Sequence, residues 1–296
     1  MGDFIRQNAN ICSFTTSNNW VILNEMEQRI KAKIEAVGVP LKEWNININR
    51  GILTGYNKAF IINNEKRKEL IKQDPKSAEI IRPILRGRDI KRYGYEFADL
   101  WLINTHNGVK ERGIKPINIE NYLAIKKHLN KFYPQLAKRS DRGDTPYNLR
   151  SCAYIEDFFK PKIIYSEIVR SPQFYFDKEK YFCEATTFLM TGDSIKYICA
   201  VLNSALGAYF FKNFYAGGGL GEGGYRYKKK FLENLPIPKV SNKNKFIIDQ
   251  IKILVDKIME KRSKNSTTKK LEYKINRLVS KLYKLSNDEI EFIDSL

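Results

Sequence analysis

The feature that most constrains this chain is a change in apolar period along its length. In the first two thirds, apolar residues come in short runs bounded by Gly, Pro or Asn. Ile46 and Ile48 alternate with Asn, and Ala59–Ile62, Trp101–Ile103, Lys162–Tyr165, Phe174–Phe176 and Thr186–Met190 follow. Runs this short predict strands. After Val240 the period lengthens. Ile247, Ile251, Leu254 and Ile258 mark one helical stripe, and Leu271, Ile275, Leu278, Leu282 and Leu285 mark a second. Ser263–Thr268 interrupts them, so a helical hairpin is expected rather than a long coiled coil.

Further helices are expected at Asn24–Val37, stopped by Gly38 and Pro40, at Glu65–Gln73, at Ile119–Leu136 and from a capped start at Ser286. Ile195–Phe214 predicts one buried helix, because Lys196, Asn203 and Lys212 make it too polar to cross a membrane. Lys138–Arg150, broken by Gly143 and Pro146, reads as a long exposed loop. Strands and helices do not alternate regularly enough for a doubly wound sheet, so the class is α+β, with a mixed β-sheet body over residues 1–240 and a helical tail over 241–296.

Charge narrows the partner. There are 52 Lys and Arg against 33 Asp and Glu, a net charge of +19. A cation surplus of that size fits a phosphate-rich polymer, and nucleic acid is preferred over an anionic membrane. Hydrophobic residues make up 43%, enough for a core rather than a disordered basic tail. The opening Met1–Arg6 leads into polar Gln7–Asn10 and shows no signal peptide, and Cys12, Cys152, Cys183 and Cys199 form no CxxC pair. Reduced, mostly buried thiols and a cytoplasmic location are expected.

Catalytic spacings find little support. Gly219–Gly224 formally fits GxGxxG, but a helix-like run precedes it where a dinucleotide site needs a strand. A flexible linker, or a loop whose backbone can approach phosphates, is the better reading. No GxxxxGK[ST] or GxSxG motif occurs. His106 reads as a loop or surface histidine, and His128 as part of a solvated, Lys-rich helix. A metal-dependent nuclease would need converging carboxylates. Asp157 with Glu167, or Asp177 with Glu179 and Lys180, are the available sets, and neither is well spaced. No catalytic residue and no metal ligand is assigned.

Basic and aromatic residues interleaved with glycine turns are the positive signal. Arg50, Tyr56 and Lys58 flank one turn. Arg86, Arg88 and Lys91 cluster in a second, beside Arg92. Arg139, Arg142, Tyr147 and Arg150 share the long loop, and Arg226, Lys228 and Lys229 follow the glycine loop. Arginine can read guanine bidentately, and lysine acts as a phosphate point charge.

Gly51-x-x-Thr-Gly-x-Asn-Lys-Ala-Phe60, Arg82-Pro-Ile-Leu-Arg-Gly-Arg-Asp-Ile90 with Tyr93, and Trp101-Leu-Ile103 resemble a known pattern. It is the C-terminal specificity region of Taq-like and type IIG restriction–modification N6-adenine DNA methyltransferases. Lys160-Pro-Lys-Ile-Ile164, Tyr225-Arg-Tyr-Lys228, Leu235-Pro-Ile-Pro238 and Leu282–Ile290 continue it in order. The resemblance implies a target-recognition domain that binds double-stranded DNA at a specific sequence and serves an adenine methyltransferase domain or subunit. The family's (N/D)PP(Y/F/W) tetrapeptide does not occur here. The resemblance therefore leaves S-adenosylmethionine, and magnesium where the parent enzyme uses it, to that parent enzyme, with no cofactor for this chain. A free-standing nuclease, or an interaction module working through the helical tail, are the alternatives.

Overall fold

The computed structural model describes residues 23–215 and 224–295. The architecture is α+β, as the apolar periods predict. It divides into two compact units along lines other than a cut at Val240: the helical tail shares a unit with residues up to Asn45, Ile168–Pro172 and everything from Lys196, while Ile46–Glu167 and Gln173–Ile195 form the other.

The second of these is a sheet unit. One antiparallel sheet has the order Phe174–Asp177, Lys162–Ser166, Thr187–Gly192, Ile46–Arg50. Another has the order Phe182–Cys183, Ile81–Leu85, Leu100–Ile103, Ile61–Asn63, with its first pair parallel. Ile163, Ile164, Tyr165, Phe174, Leu189 and Met190 are buried, which explains why their strands read as unbroken apolar runs. Gly51 sits where strand Ile46–Arg50 ends; a Cβ there would lie 2.1 Å from the Glu184 carbonyl oxygen, so no side chain fits.

Lys162 and Asp177 face each other in register and are both fully buried. Burying such a pair costs several kcal/mol of desolvation per ion unless further bonds satisfy it. They are present: Lys162 Nζ also donates to the Phe158 carbonyl at 2.7 Å, and Asp177 accepts the backbone N–H groups of Glu179 and Tyr181 at 2.8 and 3.0 Å.

The other unit is mainly helical. Helix Glu25–Val37 begins at a capping box, in which Asn24 and Glu27 exchange 2.9 Å hydrogen bonds. Strand Val39–Pro40 pairs with Pro236–Ile237, and the hydroxyls of Tyr197 and Tyr283 donate to the carbonyls of Pro238 and Pro236. The Leu235–Pro238 segment is thus held from both sides. Lys245–Ser263 and Lys269–Leu282 form the expected hairpin, and helix Asn287–Asp294 starts at Ser286, whose N–H donates to Glu289. No helix among the described residues is long and apolar enough to cross a membrane.

Two expected helices are broken. Ile195–Phe214 is two helices, Ile195–Asn203 and Ala205–Phe214, because Ser204 caps the second through its hydroxyl to the Gly207 N–H at 3.0 Å. Ile119–Leu136 is a 3-10 turn followed by Leu123–Asn130 and Tyr133–Lys138, with Pro134 in the first turn of the last.

Candidate nucleic-acid interface

In the sheet unit, Arg139 ties together two segments that are distant in sequence. It is only 8% exposed, and its guanidinium donates to the carbonyls of Thr54, Pro146 and Asn148. The guanidinium carbon lies 4.5 Å from the Phe60 ring centroid. Burial pushes its pKa down to about 10. Arg139, expected as a DNA contact, instead fastens the Gly51–Asn57 turn to the loop over residues 139–150 through both of its terminal nitrogens.

That loop is not simply exposed, as its composition suggests. Asn148 is buried and donates to the Ile117 carbonyl at 2.9 Å. Thr105 donates to the Tyr147 carbonyl at 2.7 Å and accepts the Leu149 N–H at 2.8 Å. Asn107 receives the Asp144 N–H and donates to the side chains of Asp144 and Ser151. Its side chain also fills the space a Cβ at Gly143 would need, 2.4 Å away. Sequence reasoning missed Thr105, Asn107 and Asn148; the first two lie just past the end of the strand Leu100–Ile103, and Asn148 has no such signal.

What remains outward is a smaller set. Arg142 and Arg150 are exposed on the loop, and Arg150 meets Asp141 at 3.2 Å. Tyr147 is half-buried: its hydroxyl donates to Asn130 at 2.6 Å, and burial foremost raises its pKa. On the turn, Thr54 donates to Asn57, and Asn57 donates to Glu184 at 2.6 Å. Tyr56 packs its ring against Phe132, with centroids 6.0 Å apart. Lys58 is exposed and has no side-chain partner among the described residues. Arg50 is exposed, its Nε donating to the Ala185 carbonyl at 2.7 Å.

The Arg86–Lys91 cluster divides the same way. Arg86 grips Asp89 with two bonds of 2.9 and 2.8 Å, and Asp89 also accepts the Arg86 N–H at 2.8 Å. The bond to Asp89 raises the Arg86 pKa; for Asp89, burial pushes upward but the Arg86 bonds win and lower it. Arg86 thus clasps Asp89 while its side chain stays partly exposed. Lys91 donates to the Arg88 carbonyl at 3.0 Å and pairs with Glu96. Arg88 stays exposed, with no side-chain hydrogen bond or ion pair among the described residues.

In the helical unit, Gly219–Gly223 lie outside the described residues. Arg226 is half-buried, in a strand paired with Ile168–Val169. Lys228 is exposed, 6.0 Å from the Phe231 ring centroid, and Lys229 pairs with Glu233 at 3.5 Å.

Two of the carboxylates weighed for metal chemistry, Asp157 and Asp177, are occupied. Asp157 accepts from Asn49 and Lys160, and Asp177 is sealed with Lys162. Among the described residues, no group of three or more His, Cys, Asp or Glu side chains gathers to hold a metal ion. Burial raises the thiols of Cys152 and Cys183 to about 11 and about 12, so neither is a ready nucleophile; Cys12 lies outside the described residues. His128 is also corrected: it is buried, and its Nε2 donates to the Ala59 carbonyl at 2.9 Å. His106 is half-buried rather than on the surface.

Comparison with known proteins places this arrangement. Two solved structures share the fold: the type IIL restriction–modification enzyme MmeI in complex with DNA, at TM-score 0.59 and 15% identity, and the type IIG restriction endonuclease BpuSI, at 0.52 and 16%. Each match takes in 87% of this chain, which spans about a third of those proteins, 36% and 32% respectively. The type II methyltransferase M.MjaIV of Methanocaldococcus jannaschii is 24% identical over 248 residues, covering 77% of this chain and 76% of its own length. The sequence pattern of the TaqI-like C-terminal specificity domain matches residues 82–237, a span that contains the Arg86–Asp89 clasp, Arg139 with its loop and the Lys162–Asp177 pair. By that match over more than half its length, the chain belongs to the TaqI-like C-terminal specificity domain family.

Proposed function

We propose that this chain recognises a specific sequence in double-stranded DNA on behalf of an N6-adenine methyltransferase domain or subunit of a restriction–modification system. The observation that carries the reading is the loop over residues 139–150: its frame is locked by Arg139, Asn107 and Asn148, while Arg142 and Arg150 stay exposed. A reading head needs that combination, because base contacts specify only if the side chain's starting point is fixed. In this reading Lys58, Arg88 and Lys228 supply phosphate contacts, and Arg142 and Arg150, with Tyr147 beside them, face bases. S-adenosylmethionine and magnesium belong to the catalytic part of the parent enzyme. The cytoplasm is the matching location.

An exposed groove supports the methyltransferase part of this reading. On the helical hairpin, Ile253, Leu254, Tyr273 and Leu278 line an apolar groove of about 430 Å³ edged by Lys274 and Arg277. A titration of the chain with duplex DNA over a salt series tests the DNA reading. Log affinity is expected to fall with log salt at about −0.9 per phosphate neutralised. No affinity for any duplex at low salt would sink it.

A further inference from the structure

The sheet unit also holds a mostly apolar cavity of about 270 Å³, whose polar walls include Glu79, Arg82, Asn104, His106 and Tyr122, with Phe159 beside them. Asn104 is 4% exposed, and its Oδ1 is buried without a hydrogen-bond partner. A buried acceptor left without a donor is unfavourable, so the atom marks a place where an incoming group would donate. His106 provides the complementary group. The Gly108 N–H donates to its Nδ1 at 3.1 Å, which puts the ring proton on Nε2, where no acceptor among the described residues meets it.

The remaining walls are fixed. Arg82 spends its guanidinium on the carbonyls of Ala78, Glu79 and Ile81 and lies 5.8 Å from the Phe159 ring centroid. Glu79 holds the Tyr122 hydroxyl at 3.1 Å. Phe159 is 40% exposed and offers an aromatic face at the end of the Ile155–Phe159 turn. The volume falls just under the range of about 300–1,000 Å³ for ordinary small-molecule sites, which suits one ring system rather than a dinucleotide.

One acceptor, one donor and one aromatic face match a base that carries an amino group next to a ring nitrogen. We propose that this cavity binds a single amino-bearing nucleobase, adenine or cytosine. Its exocyclic amine donates to Asn104 Oδ1, its neighbouring ring nitrogen accepts from His106 Nε2–H, and its ring lies on Phe159. The base could be free or extruded from DNA. The second source rests on the DNA reading above and has a physical route: Thr105, between Asn104 and His106, is bonded to Tyr147 and Leu149 of the recognition loop.

The test is ligand-observed NMR with adenine, cytosine and uracil, together with titration by a duplex carrying one unpaired adenine and by its fully paired counterpart. Asn104→Leu and Phe159→Ala are the variants; the second changes a partly exposed side chain and keeps the test valid if the first fails to fold. Saturable binding of adenine or cytosine, weakened about tenfold or more in the variants, supports a free ligand. Tighter binding of the unpaired-adenine duplex, with that gain lost in the variants, supports an extruded base. Neither result, or uracil binding as well as adenine, overturns the proposal. Paired-duplex affinity, which the variants should leave unchanged, reports separately on the DNA reading.

Discussion

The recognition loop over residues 139–150 and the helical hairpin of Lys245–Ser263 and Lys269–Leu282 dispose of their side chains in opposite ways. In the loop, Arg139 and Asn148 turn inward, buried and bonded to carbonyls, while Arg142, Asp144, Thr145 and Arg150 stay exposed. In the hairpin, Ile251, Val255, Ile258, Ile275 and Val279 bury one face, yet Phe246, Ile253 and Tyr273 stay outside at 75%, 53% and 54% exposure. Isolated exposed apolar residues need no explanation, but three of them on one hairpin, two lining one groove, fit a surface that something covers. The loop is thus framed by buried polar bonds, whereas the hairpin keeps apolar side chains outside its own packed face.

The hardest test of the loop's frame is Arg139→Met. It removes three charge-assisted bonds at once and leaves buried carbonyls unpaired. A loss of about 3 kcal/mol or more in urea unfolding is expected. An unchanged midpoint would mean that the loop is not held as described. Arg142→Ala is the contrast; an exposed substitution away from such features should stay within about 0.5 kcal/mol of the parent stability.

The hairpin is tested by Tyr273→Ala combined with Ile253→Asp. Against the methyltransferase partner, loss of about 2 kcal/mol of binding is expected by calorimetry, the range of a buried interface anchor. Duplex binding should be retained. If both bindings fall together, the division of labour between loop and hairpin is wrong.

A finer comparison lies among the cations. Replacing Lys58 or Arg88 by Ala should reduce the slope of log affinity against log salt by about 0.9 each, with the same loss for every duplex. Replacing Arg142 or Arg150 should cost about 1–3 kcal/mol on the preferred site and relax the preference at one position. Equal losses on all duplexes from Arg142→Ala would move that residue from reading to phosphate holding.

The strands and the hairpin were legible because their apolar periods are local properties. The break at Ser204 was not, since apolar residues continue on both sides and only the hydroxyl's bond to Gly207 shows the new helix start. The candidate cations were harder still. Arg139 and Arg142 look alike in a sequence, and what separates them is carbonyls supplied by residues 54, 146 and 148. Most residues of the resembling motifs, among them Gly51, Asn57, Arg86, Asp89 and Lys162, prove to hold the frame. The exposed Arg142 and Arg150 lie between those motifs, which is why order along the chain disclosed the family but no target sequence.

The smallest effect separates the two regions by pH. Both histidines of the chain lie in the sheet unit, near the loop, and the hairpin has none. Burial is the main cause that lowers the pKa of each below the usual 6.5: for His128 it outweighs the bond to Ala59, which pushes upward, and His106 is half-buried with Arg82 nearby. Between the depressed folded value and 6.5 the unfolded chain binds more protons than the folded one, so stability rises with pH there. The contribution is complete above about pH 6.5 and is lost as pH falls through the folded values. Urea midpoints measured from pH 7.5 down to 5 should therefore decline, and His128→Gln, which can still donate to Ala59 but takes up no proton, should flatten the decline. Hydrogen exchange over the same range should show residues near Ala59, Lys58 and the loop losing protection before the hairpin does. If the hairpin loosens first, or His128→Gln leaves the slope unchanged, the histidines are not what couples the loop's frame to pH.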